Sequence, residues 1–472
     1  MSVLVKDSAG ARQSRRIPIR VSGSVAAGSI LQPLNSSMIA IAIVGIAAQF
    51  GSSSGIAWVI SGLYIATAVA APMAGRLGTL LGARRVYLGG LAIVSLGSIV
   101  GILAPTVGWL IFARVLIGIG TATQYPNAMT MIRGYAERHR AQPRSAITTL
   151  TVCSQATVSL GPTLGGLLVG AFGWHSIMWI NLPVAALSAI LVTRFARVGP
   201  ARGTPVGHRQ LLRKLDVVGA LLLLVLISST MLFLLSLTND PTWWLIPLWM
   251  IALAAFVRRE RRAEEPFIDV RALTRNRALS ATLARTLLTY SAFYCVYFGV
   301  PQWLQYSRGM SATQAGLTML PVAAVGALTT LIASRTYARH GARRTLAVGT
   351  GALLVGGLLL ASVESSTAPI LVLLMVAVVL GIPNGFNNIG NQNLVSSVTS
   401  LEEVGTAIGM YRTVQYIGAN FAAVVLATTS GHVIGDDGLH RTGWFIAVVG
   451  TVLLVGVLIS RNMGDRRRAH AR

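Results

Sequence analysis

Gly161-Pro162-Thr163-Leu164-Gly165-Gly166 lies inside an apolar run from about Ala146 to Phe172. Proline removes a backbone donor and crowds the turn before it, so a helix bends here. The glycines strip side chains from the helix surface and let a second helix approach closely. In water such a segment is a poor helix. In a bilayer it stays helical, because hydrocarbon offers its backbone no other partner. A bent, smooth helix suits a boundary where two packs of helices rock against each other. Taken alone, the six residues read equally well as an ordinary kink in a membrane helix.

The rest of the chain decides between the two. Of 472 residues, 53% are hydrophobic and only 11% charged, against about a quarter charged in soluble proteins. Fourteen apolar runs recur near 24–48, 56–75, 86–104, 108–130, 146–172, 176–195, 216–237, 242–257, 278–304, 313–334, 345–362, 368–395, 404–430 and 443–460. Runs of this kind match a hydrocarbon layer of about 30 Å, and the one at 242–257 is the shortest. The expected fold class is an all-α polytopic membrane protein with fourteen transmembrane segments, numbered 1–14 here in chain order.

A net charge of +25 raises nucleic acid as a partner, but the distribution argues against it. With the N-terminus placed in the cytosol, only Arg308 and Arg441 fall in outer loops, and Arg114, Arg285 and Arg412 fall within segments. All other Lys and Arg are inner, the positive-inside bias of a multi-pass plasma membrane protein with both termini cytosolic. Residues 1–22 form a basic arm suited to an anionic inner leaflet. They are not a cleavable signal, since the run that follows is longer than a signal core. Cys153 and Cys295 sit in segments and make neither a disulfide framework nor a metal site. No cofactor is expected.

Two polar inner stretches divide the chain. The expected layout is an arm at 1–22, six segments at 23–196, a linker at 197–215, two inserted segments at 216–258, a linker at 259–277, six segments at 278–461 and a basic tail at 462–472. The turn after segment 2 runs from Gly75-Arg76 to Gly82-Ala83-Arg84-Arg85, and the turn after segment 10 runs from Arg335 to Gly341-Ala342-Arg343-Arg344. The same turn thus recurs between the second and third segments of each block, which supports two parallel six-helix repeats.

These features together resemble the major facilitator superfamily, and within it the fourteen-helix drug:proton antiporters of the multidrug efflux type. The turn at 75–85 is similar to the superfamily's gating motif. Arg114 in Leu110-Ile111-Phe112-Ala113-Arg114 is similar to its segment 4 motif, and Gly161 to Gly166 to the antiporter motif of segment 5. Trp174 with Asn181 and Pro183, Gln305 with Gly309, Ala315-Gly316 and Leu320-Pro321 fit the same family. The resemblance implies two six-helix bundles around a central cavity that opens to alternate sides. Segments 1, 4, 9 and 12 would line the cavity, and segments 2, 5, 10 and 13 would form the bundle interface.

The departures bear on mechanism. Asn35 and Thr79 stand where the family usually has acidic residues, Ile117 where a glutamine is common, and Gln415 where an arginine is usual. None of the 14 Asp and Glu lies deep within a segment, and the histidines fall in loops, tails or segment ends. Proton antiport needs a group that titrates, and carboxylates or histidines normally serve. Arginine does not. A charge at mid-bilayer costs at least ~2.5 kcal/mol, so Arg114, Arg285 and Arg412 each face either a cavity or helix carbonyls. Asn384, Asn388 and Asn391 share a helix face by the i, i+4, i+7 spacing, as a hydrogen-bonding wall of the cavity, as helix packing, or as an inner end already in the membrane interface. Tyr290, Tyr294 and Tyr297 share one side of segment 9, as an aromatic wall or a packing stripe.

The expected substrate pathway is therefore Asn35, Arg114, Arg285, Tyr290, Asn384, Asn388, Asn391 and Arg412. The expected antiporter motif is Gly161, Pro162, Gly165 and Gly166. The expected gating turns use Gly75, Arg76, Gly82, Arg84, Arg85, Gly341, Arg343 and Arg344. A pathway with arginines and amides but no carboxylate disfavours an unpaired cation. The leading expectation is a monomeric exporter of small amphipathic compounds, neutral, zwitterionic or anionic. The alternatives are a non-transporting membrane sensor or scaffold, and an uncoupled facilitator or importer of the same fold. No phosphate-binding loop or nucleophile–base pair suggests an enzyme.

Overall fold

The computed structural model describes residues 15–51, 55–196, 215–237, 241–263, 266, 268, 270–399, 404–430 and 434–460. The expected tail, most of the arm and most of the 197–215 linker lie outside the described residues. The first bundle contains α1 (Ile19–Ser29), α2 (Leu31–Phe50), α3 (Gly55–Leu77), α4 (Ala83–Ile102), α5 (Val107–Ala122), α6 (Gln124–His139), α7 (Arg144–Phe172), α8 (Ser176–Trp179) and α9 (Asn181–Phe195). The inserted pair is α10 (Val217–Ser236) and α11 (Leu245–Arg262). After the short α12 (Val270–Arg275), the second bundle contains α13 (Arg277–Tyr306), α14 (Ala312–Thr318), α15 (Leu320–Ser362), α16 (Ile370–Val398), α17 (Val404–Ser430) and α18 (Asp436–Ile459).

Each expected apolar run falls mainly on helix. Among the described residues, nine helical stretches are long and apolar enough to cross a membrane; Gly55–Ile102 and Ala312–Ser362 each cover two of the expected runs. The runs at 242–257, 278–304 and 404–430 form helices outside those nine. Pro72, Pro162, Pro301 and Pro383 all lie inside helices that continue through them. Large apolar side chains such as Leu187, Ile190, Leu331, Val448 and Val452 are exposed, as lipid contact requires. Two-residue strands β1 (Arg15–Arg16) and β2 (Ala141–Gln142) pair in parallel. They tie the start of the described chain to the α6–α7 turn and define the near end of the molecule; the opposite end is the far end.

The repeated turns share one backbone device. Gly82 and Gly341 both adopt positive φ, 97° and 77°, a region open to glycine without a Cβ penalty. One residue separates each from an arginine that reaches the last turn of its own bundle's final helix. Arg84 Nη2 donates to the Thr193 carbonyl at 3.0 Å, and Arg343 Nη2 to the Leu458 carbonyl at 2.6 Å. Carbonyls there lack intrahelical donors, so a cation suits them. The second turn differs from expectation in form: helical structure runs on through it, and only Gly341, with φ 77° and ψ −174°, leaves helical dihedrals, so one positive-φ glycine redirects the chain.

Of the inserted pair, α10 packs on α3 and α17, astride the boundary between bundles, and α11 packs on α10. Asp216 caps α10 by accepting from the Gly219 N–H, and it pairs with Arg259 of α11 at 2.8 Å. Trp249 Nε1 donates to Thr230 Oγ1 at 2.9 Å, closing the pair farther along.

Candidate functional site

The bundles meet along α3 with α17 and along α7 with α14 and α15. The glycine-rich stretch of α7 faces both bundles at once. A side chain at Gly161 would overlap Ser37 of α2, and a Cβ at Gly165 would lie 3.1 Å from Met38 Cα. A Cβ at Gly166 would lie 2.5 Å from the Ala312 carbonyl oxygen and 2.8 Å from Gly316 Cα, across the boundary. Two hydroxyls stitch this seam: Thr163 Oγ1 donates to the Gly316 carbonyl at 2.9 Å, and Thr313 Oγ1 to the Gly166 carbonyl at 3.2 Å. Contact this close needs glycine on both sides. The seam lies in the far half of α7, beyond its midpoint from Arg144.

Deeper in, aromatic rings fill the space between bundles. Tyr64 of α3 lies 5.3 Å from Tyr294, 6.1 Å from Phe298 and 6.3 Å from Tyr416, centroid to centroid. Its hydroxyl donates to the Ser36 carbonyl at 3.1 Å. Beside this plug, a narrow cleft opens into the second bundle, lined by Thr289, Tyr290, Phe293 and Tyr297 of α13 and Asn384, Asn387 and Asn388 of α16. Asn388 Oδ1 accepts from the hydroxyls of Tyr290 and Tyr411 at 3.4 and 3.3 Å. Both amide atoms of Asn387, a residue 1% exposed, have no hydrogen-bond partner, nor does Thr289 Oγ1. Buried polar groups are normally paired, so these orphans suit a polar guest.

Of the expected pathway, the cleft gathers Tyr290, Asn384 and Asn388. Asn391 is buried with its amide unpartnered but does not line the cleft. Asn387, Thr289 and Phe293 are additions. Asn387 belongs to the visible run of amides and, three residues after Asn384 and four before Asn391, shares their face of α16; the i, i+4, i+7 spacing simply passed over the i+3 position that the cleft uses.

Asn35 and Arg114 are spent within the first bundle. Arg114 is fully buried; its Nε donates to the Val59 carbonyl at 3.1 Å, and Nη1 and Nη2 both donate to the Asn35 carbonyl at 3.2 Å. The Asn35 side chain exchanges hydrogen bonds with Asn181 at 2.7 and 3.0 Å, and Asn181 reaches Ser98 Oγ at 3.0 Å. Arg412 lays its guanidinium 3.8 Å over the Tyr125 ring, joining the bundles by a cation–π contact. Arg285 is 9% exposed with Nη1 unpartnered, one turn before Thr289. None of the three arginines lines the cleft.

The gating residues divide. Arg76 Nη2 donates to the Pro266 carbonyl at 2.6 Å, and Arg85 and Arg344 are exposed. The buried carboxyls among the described residues, Asp216, Glu260 and Glu364, lie at helix ends, and no carboxylate lines the cleft.

Comparison with known proteins places this geometry. The family model described as the Major Facilitator Superfamily matches residues 25–423. The chain is 32% identical to the uncharacterized MFS-type transporter YwoD of Bacillus subtilis (strain 168), over 92% of this chain and 94% of that protein. It is 28% identical to the tetracenomycin C resistance and export protein of Streptomyces glaucescens, over 88% of this chain and 76% of that protein. In fold it is similar to the crystal structure of a D-xylose-proton symporter, with TM-score 0.67 and 13% identity, over 95% of this chain and 98% of that one. A helical membrane protein with two seamed bundles, matched by this family along most of its length, belongs to the Major Facilitator Superfamily of membrane transporters.

Proposed function

We propose that this transporter is a secondary active exporter of small amphipathic compounds, antibiotics among them, and that it works by alternating access. The observation that carries the reading is the glycine seam of α7 against α14. Two backbones in contact without interlocking side chains can separate and re-form at low cost, which rocking bundles require. Export names among its relatives, the tetracenomycin C protein included, point the same way. The near end, rich in arginine, is the cytosolic face against anionic lipid, and the unit is a monomer in the plasma membrane.

The cargo is best read as neutral. Carboxylates are absent from the cleft among the described residues, which disfavours a cation. Arg114 is consumed by helix carbonyls and Arg412 by Tyr125, so these two arginines offer an anion less than the sequence suggested. Counterflow of neutral amphipathic compounds in liposomes tests the reading. Saturable exchange is expected, and Gly316→Leu should abolish it. Exchange that survives Gly316→Leu unchanged would remove the seam from the mechanism. An uncoupled facilitator is the second reading, favoured by the neutral Asn35–Asn181 pair where a titrating acid would sit.

A further inference from the structure

The far end of the second bundle holds a carboxyl group that the pathway does not use. Glu364 lies two residues past the end of α15 and is 2% exposed, and one of its carboxyl oxygens has no hydrogen-bond partner. Its backbone is fixed: the N–H donates to the Leu359 carbonyl at 3.2 Å, and its own carbonyl is 2.8 Å from His440 Nε2. The nearby cation is Arg308, between α13 and α14. Arg308 Nη1 donates to the carbonyls of Ser365 and Ala368 at 3.3 and 2.7 Å, holding the loop rather than the carboxyl. On α18, Asp436 accepts from Trp303 Nε1 at 2.8 Å and from the Ser366 N–H and hydroxyl, each at 2.9 Å to Oδ2. Asp437 and Arg441 complete the charged residues of its first turns, while α14 and the start of α16 carry no titratable side chain. Burial pushes the Glu364 carboxyl up to about 8, with the charge of Arg308 opposing.

We propose that Glu364 is a proton-binding site that latches the far end shut through Arg308. Neutral, the carboxyl tolerates burial and leaves Arg308 on the loop carbonyls. Ionised, it is a buried anion lacking a partner for one oxygen, which is costly, and it draws the nearest guanidinium from Ser365 and Ala368. Arg308 lies four residues before Ala312, and α14 carries Ala312, Thr313 and Gly316, the far side of the glycine seam. Movement of Arg308 therefore reaches that seam. The sign follows from linkage: the closed form holds the proton more tightly than a form with this carboxyl in water, so acid favours closure and alkali favours opening.

The consequence for transport rests on the alternating-access reading; the titration does not. The test places spin labels at Phe172→Cys and Leu317→Cys, exposed positions on either side of the seam, with Cys153→Ser and Cys295→Ala, in lipid nanodiscs without cargo. The label distance should lengthen as pH rises through about 8 and stay short at every pH in Glu364→Gln. Arg308→Gln should keep a titrating carboxyl band in the infrared while losing the pH-dependent distance. A parent distance indifferent to pH, or a Glu364→Gln protein that moves like the parent, overturns the latch. If Glu364→Gln does not fold, the parent still decides, because a missing infrared carboxyl transition near pH 8 overturns it as well. Failure to find any cargo flux would count against the exporter reading and leave both readouts standing.

Discussion

Arg114 illustrates how a buried charge can serve structure in a membrane. Its guanidinium ties α5 to carbonyls of α2 and α3, so Arg114→Leu removes a charge-assisted lock worth about 2–3 kcal/mol. Thermal unfolding in detergent should show that loss, with Arg114→Lys recovering only part of it, since one ammonium cannot fork to both carbonyls. Asn35→Asp is a different probe. It places a carboxylate beside Arg114 and Asn181, and its expected outcome is a new pH dependence of transport; an unchanged pH profile would argue that position 35 has no part in coupling. That Asn35 and Arg114 are polar at depth was legible from the sequence. Their partners were not, because Asn181 and Val59 lie far off in the chain and only packing brings them together. The amides of α16 were legible as a group, but which of them faces the cleft depends on how α16 rotates against α13.

At the scale of elements, the repeated turn was readable as a string and proved to be a backbone device. Gly82→Ala and Gly341→Ala each force a side chain into an extended positive-φ conformation that favours glycine, at a cost of roughly 1–3 kcal/mol, and should lower the melting temperature comparably. Unequal losses would mean that the two turns are not equivalent. The reach of Arg84 and Arg343 to the ends of α9 and α18 was hidden, since basic residues expected on an inner surface need no partner to be explained. The glycine-rich stretch of α7 announced close approach. It did not say to what, and the answer is two elements, α2 through Gly161 and Gly165 and α14 through Gly166.

For the whole molecule, hydropathy and charge asymmetry specified a membrane fold, because a bilayer constrains length and sign more tightly than water does. In the proposed reading, cargo follows from a few side chains around one cleft and closure from one buried carboxyl, and composition carries little trace of them. The proposed transport requires a seam that opens and a cleft without acids. The most direct measurement is uptake into proteoliposomes of matched neutral, anionic and permanently cationic amphipathic compounds, with and without a pH gradient. Saturable flux of the neutral compounds, with none of the permanent cation, is the predicted result. Robust saturable transport of the cation, or no flux of any compound, would contradict it.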